Sequence, residues 1–145
     1  MTVLTRRERT RLLVLSPPEL ARELAQEVRA LHLVEVLEPA RAGLVMAQVL
    51  ETARRSVFHL GEVLVSECKV RVSGTLGLGL VKGWNEDLAE DLAVVDAAYR
   101  AGLPVTEGWN GRLDDAGTAL EARLADERRL LETTRVDFQT MDTGA

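Results

Sequence analysis

The residues of this chain best suited to chemistry are one cysteine, Cys68, two histidines, His32 and His59, an acidic cluster of Glu86, Asp87, Glu90 and Asp91, and the glycine-rich run VSGTLGLGLVKG over residues 72–83. A thiol with an imidazole beside it would act as nucleophile and base, and glycines ending in a lysine would cradle a phosphate. Each reading fails on spacing or setting. A phosphate loop places its glycines between a strand and a helix N-terminus, as G-x-x-x-x-G-K-[ST] or G-x-G-x-x-G, and neither spacing occurs here. Cys68 falls on the inward face of an alternating segment, where a thiol behaves as a small hydrophobe with a raised pKa. Two distant histidines do not make a metal site by spacing, and one cysteine excludes a disulfide framework and a cysteine-based zinc site. The acidic cluster opens a helix, where carboxylates complement the dipole and a solvated first turn is expected. No catalytic, cofactor or metal site is therefore expected in this chain.

The elements that would position these residues are legible from periodicity. Thr5 with Glu8, and Ser16 with Glu19, fit the capping box, so two helices are expected to start there. The second would carry Pro17 at its first position and bury Leu20, Leu24, Val28 and Leu31. After Pro39 the period shifts toward two, and the apolar run Gly43 to Leu50 reads as a buried strand. A second strand follows from about Leu60, with Leu64, Cys68, Val70 and Val72 on one face and Glu67, Lys69 and Arg71 on the other. Ser73-Gly74 supplies a tight turn. In the next strand Leu76, Leu78 and Leu80 are expected to face inward, leaving Gly77 and Gly79 as a bare row that a partner chain would approach. A helix runs from Asn85 on Leu88, Leu92, Val95 and Tyr99 to a stop at Gly102, and another spans about 115–133 on Leu120, Leu124 and Leu131.

The fold class expected is α+β in a single domain, residues 1–145. Its small antiparallel sheet has three to four strands at about 43–50, 60–72, 75–82 and, as the optional fourth, 135–140, packed with N-terminal, central and C-terminal helices. The tail from Val136 through Phe138 to Met141 is apolar for a terminus, and Val136, Phe138 and Met141 join Gly77 and Gly79 as expected partner-interface residues.

Composition narrows the partners. At 46% hydrophobic and 28% charged the chain can bury a core. Acidic residues outnumber basic ones 23 to 18 without an evident basic stripe, which argues against nucleic acid. No apolar run reaches the roughly 18 residues of a membrane span, and no apolar targeting region follows the first arginines, so a cytoplasmic protein is expected.

One resemblance covers nearly the whole chain. Gly43-Leu44-Val45-Met46, Phe58 with Leu60-Gly61-Glu62-Val63, Cys68 with Val70-Arg71, the strand Gly74 to Gly83, Ala89-Glu90, and Val136-Asp137-Phe138 with Thr140-Met141 agree in order and spacing with one family. In these the chain resembles the G subunit of the carbon-phosphorus lyase core complex, the PhnG family, as a divergent member. Where that family has a Gly-Gly-Thr-Gly segment, this chain has Glu51 to Phe58. Where the family has Gly-Arg-Asp-Lys and then His-Ala-Glu, the chain has the acidic stretch Gly83 to Glu90.

The resemblance implies a non-catalytic subunit that assembles with H, I and J type subunits and binds no cofactor itself. In that family the I subunit, supported by G, H and the L protein, exchanges the adenine of ATP for a phosphonate. The product is ribose 1-phosphonate 5-triphosphate. The J subunit, an iron-sulfur radical enzyme, then cleaves the carbon-phosphorus bond. The competing expectation is a free-standing homo-oligomer that binds a small ligand and packs its glycine strand against its own copy.

Overall fold

The computed structural model describes residues 4–136. The chain is α+β: helices α1 (Arg6–Leu15) and α2 (Pro18–Leu31), strands β1 (Val34–Leu50), β2 (Val57–Val72) and β3 (Thr75–Lys82), then helix α3 (Glu86–Arg100), a 3-10 helix (Pro104–Trp109) and helix α4 (Asn110–Thr133). The three strands form one antiparallel sheet in the order β1-β2-β3. Helix α3 lies across the inner face of β2 and β3, and α1 and α2 pack against it. It is accordingly buried on almost every side, from Leu88 through Ala98.

Local chemistry explains most boundaries. Thr5 and Glu8 close the capping box of α1 as expected. At α2 the expected box from Ser16 and Glu19 does not form. Ser16 instead ends α1, Pro17 is the N-cap, and it is Pro18 that takes the first helical position, where its missing N–H costs nothing. Helix α2 buries Ala21, Leu24, Ala25 and Val28, while Leu31 is exposed. Asn85 caps α3 through the Leu88 amide. At the other end Gly102 takes φ 63°, and Leu103 N–H returns to the Ala98 carbonyl, a Schellman stop. Helix α4 starts at Asn110, five residues before the expected 115, because the 3-10 turn after Pro104 leads straight into it. Its first half buries Leu113 and Leu120, whereas Leu130 and Leu131 are exposed.

The sheet departs from expectation in three ways. First, β1 begins at Val34 and runs through Pro39, and β2 begins at Val57; the two pair along almost their whole length as a ribbon. Pro39 is tolerated because β1 is an edge strand with a register irregularity between Glu38 and Arg41. Secondly, the run Gly43 to Leu50 is a strand but not a buried one, since β3 reaches only to the pairing Val65 with Lys82.

Thirdly, the faces of β3 are reversed. Leu76, Leu78 and Leu80 point outward and are about half exposed, while Gly77, Gly79 and Val81 face α3. A Cβ on Gly79 would lie 1.7 Å from the Ala89 carbonyl oxygen, and one on Gly77 2.1 Å from that of Ala93. The element approaching the bare backbone is the chain's own α3, through Ala89, Ala93 and Ala97, and not a partner. Gly77 and Gly79 are thus core positions and are corrected as interface residues. Of the tail, Arg135 and Val136 are not in a strand. The rest of the expected strand, with Phe138, and Met141 beyond it lie outside the described residues.

Opposite α3, the outer face of the ribbon carries an ion-pair lattice: Glu35 with Arg71 (3.1 Å), Glu38 with Lys69 (2.6 Å) and Arg41 with Glu67 (2.9 Å).

Candidate functional site

Beyond Val65 the ribbon loses β3 and continues as a two-stranded arm, residues 43–50 against 57–64, closed by the tip at 51–56. The tip is held locally: the Glu51 carboxylate accepts from the amides of Ala53 and Arg54, and Glu51 N–H donates to the Ser56 carbonyl. A bulge falls between Ala47 and Gln48. There β2 spends Leu60 as an extra residue next to Gly61, so that Gln48 pairs with His59.

Residues alternate across a ribbon, and in this arm both faces carry large apolar side chains, with Glu62 and the Gln48–His59 pair interrupting one of them. Leu44, Met46 and Leu50, with Val57 opposite Leu50, share one face; Val45 and Val49, with Phe58 opposite Val49, share the other. All seven are exposed, Leu44 at 61% and Met46 at 60%, and so is Leu60 of the bulge at 67%. An isolated two-stranded hairpin is marginal in water, and a contiguous apolar surface of this kind marks an interaction site. The arm is the candidate functional site, and periodicity alone did not identify it as such. Its apolar run was legible; that none of the described residues covers it was not. The one available signal is that Leu44-Val45-Met46 is apolar at consecutive positions, which a strand with one wet face would not be.

The groups considered for chemistry are placed apart. Cys68 is 1% exposed, and its thiol donates to the Glu38 carbonyl oxygen at 3.3 Å. Burial, then the Glu90 charge, push its pKa up to about 11, so the thiol stays protonated at neutral pH. His59 is on the arm, nine residues further along the same extended strand, so roughly 30 Å separates the two and no nucleophile pair exists. His32 ends α2. Among the described residues no group of three or more His, Cys, Asp or Glu side chains could hold a metal.

The acidic cluster divides. Glu86 and Asp87 occupy the first turn of α3, as expected, but Asp91 is buried and binds Arg29 at 2.7 Å, with Glu90 on the same guanidinium at 3.0 Å. Half of the cluster is therefore a tie between α2 and α3. The two Gly-Trp-Asn triplets also part company. Trp84 is 76% exposed, whereas Trp109 is fully buried, donates to Glu27 at 2.7 Å and packs edge-on against Tyr99 at 5.4 Å.

A second polar feature guards the sheet edge. Asp96, buried at 6% exposure, accepts two bonds from Arg6 at 2.8 Å and the amide of Leu78 at 3.0 Å, and Arg100 donates to the Leu76 carbonyl. Among the described residues no helix is long and apolar enough to cross a membrane. In comparison with known families, the model described as phosphonate metabolism protein PhnG matches residues 4–144.

Proposed function

Because the chain belongs to the PhnG family, and so has a role in phosphonate metabolism, we propose that it is a non-catalytic subunit of a carbon-phosphorus lyase complex in the cytoplasm. Its partners in this reading are subunits of the H, I and J type. It supports the partner-catalysed formation of ribose 1-phosphonate 5-triphosphate from ATP and an alkylphosphonate. The observation that carries the reading is the arm, an anchored ribbon with apolar side chains on both faces and no cover from the described residues of its own chain. An enzyme acting alone has no use for such a surface; a subunit does, since burial in a partner would contribute about 1.5–3 kcal/mol for each large apolar side chain. Its chemistry suits a cleft that closes on both faces of the ribbon at once.

The test is co-purification. Phe58→Asp and Met46→Asp place a charge on opposite faces of the arm, at exposed sites outside the core. Each should abolish capture of an I-type subunit while leaving the melting temperature of the isolated chain within about 2 °C of the wild type. Normal capture by both variants would remove the arm from the interface. A wild-type chain that forms a stable dimer, lost in the same variants, would instead support the free-standing homo-oligomer.

A further inference from the structure

Strand β3 is the other edge of the sheet, and only half of it is protected. In an antiparallel hairpin closed by a two-residue turn, alternate residues turn their N–H and C=O toward the neighbouring strand. Val72 and Thr75 flank the turn, so Thr75, Gly77, Gly79 and Val81 bond to β2, and Leu76, Leu78, Leu80 and Lys82 point their backbone groups outward. The bonds from Leu78 N–H to Asp96 and from Arg100 to the Leu76 carbonyl fit this pattern. They cap the first half of the edge. The Leu78 carbonyl, both backbone groups of Leu80 and the Lys82 N–H have no partner among the described residues.

That uncapped half opens into a groove of about 740 Å³ between β3 and α1. Its floor is apolar, from Leu78, Leu80 and Val14, and its rim carries Arg6, Arg7 and Arg11. Arg6 is committed to Asp96, but Arg7 and Arg11 are exposed and make no ion pair among the described residues. A free strand edge beside an apolar floor is the arrangement that accepts an added strand, with main-chain bonds giving affinity and side-chain pockets giving selectivity.

We propose that this groove receives an extended, acidic segment of a partner polypeptide by strand addition to the Leu78–Lys82 half of β3. Carboxylates flanking an apolar residue would meet Arg7 and Arg11 while the apolar side chain lies on Leu78 and Leu80. Charge decides against a second copy of the chain: pairing edge to edge would bring another Arg7 and Arg11 against the first two. The site is separate from the arm, and its occupancy does not depend on the arm's role.

The test uses the full chain and a fluorescein-labelled Glu-Val-Glu-Val-Glu-Val-Glu peptide, with Lys-Val-Lys-Val-Lys-Val-Lys as its counterpart. Fluorescence anisotropy should show binding of the acidic peptide only. Arg7→Glu combined with Arg11→Glu should weaken it by about tenfold or more. Leu80→Pro removes one outward donor without touching the β2 ladder and should weaken it comparably. Amide exchange on the wild-type chain should be fast at Leu80 and Lys82 when free and slow with the acidic peptide, which keeps the test decisive should the proline variant not fold. Phe58→Asp should bind the peptide normally, so failure of the arm and failure of this groove are read separately. Absent binding, equal binding of both peptides, or slow Leu80 exchange in the free chain would each overturn the proposal. In the last case concentration dependence would identify a second copy as occupant, and its absence would identify the chain's own residues.

Discussion

Adding a single methyl group at Gly79 should unseat α3. The new Cβ would lie 1.7 Å from the Ala89 carbonyl oxygen and 2.8 Å from Ala93 N, where ordinary contact begins at 3.4 Å. Both neighbours are helix backbone, so no rotamer change relieves the clash; α3 must withdraw from β3 by roughly the same distance again. Overpacking a well-filled core costs about 1–3 kcal/mol and more when backbone must move. Here the moved helix carries the centre of the core, from Leu88 to Ala98, which places Gly79→Ala at the top of that range, about 3 kcal/mol. At about 2–4 °C per kcal/mol for a domain of this size, the melting temperature should fall by about 10 °C. Thermal unfolding followed by circular dichroism measures it. Gly43→Ala is the control, a glycine of the same sheet with nothing within 4 Å of the added Cβ, and it should change the melting temperature by no more than about 2 °C. A Gly79→Ala chain that melts beside the control would refute the close approach of α3 to β3.

Three further outcomes are expected. Asp96→Ala leaves the Leu78 amide and one side of Arg6 unpaired beside the core and should cost about 1–3 kcal/mol in urea unfolding, whereas Arg6→Ala, on the exposed side of the same pair, should cost no more than about 1 kcal/mol. The raised pKa of Cys68 means that the folded state holds the thiol proton more tightly than the unfolded state. Stability from this group is complete below pH 9, where the unfolded thiol titrates, and is lost as pH rises toward 11. Wild type should therefore lose more stability than Cys68→Ala between those limits, and parallel curves would contradict the burial. Finally, acrylamide should quench the emission of exposed Trp84 but not that of buried Trp109, so Trp84→Phe should leave only protected fluorescence.

How much of this was legible depends on what each signal reports. The strand 75–82, the turn at Ser73-Gly74 and the stop at Gly102 follow from local rules, and the structure has all three. Alternation, by contrast, separates two faces without saying which is inside. Size favoured the leucines as the inner set, but a helix seated close on a sheet demands the smallest residues at the contact. The signal for that was in α3 rather than in the strand: Ala89, Ala93 and Ala97 recur every four residues and meet Gly77 and Gly79. The buried half of the acidic cluster was illegible for a similar reason, because Arg29 is 62 residues away from Asp91 in sequence. The arm's exposure was the hardest, since no property of residues 43–50 records that β3 ends at Lys82.

The ion-pair lattice on the ribbon sets a limit on how the chain can misfold. A strand whose two faces differ in polarity is held in register by burial alone, because slipping by one residue would turn its apolar set to water. The distal ribbon lacks that safeguard, having large apolar side chains on both sides, and a slip by two residues would keep each of them on its own face. The charges penalise it. Sliding β2 by two in one direction sets Glu38 opposite Glu67 and leaves Glu35 facing Lys69, and in the other sets Arg41 opposite Lys69 and leaves Glu38 facing Arg71. Either error replaces three opposite-charge pairs by one such pair and one like-charge pair. Surface ion pairs that add little to the depth of the native minimum thus act as a vernier for a long hairpin, raising the competing alignments instead. Refolding in concentrated salt, which screens the lattice, should yield a mixture of registers from the same chain that folds to one alignment in dilute buffer.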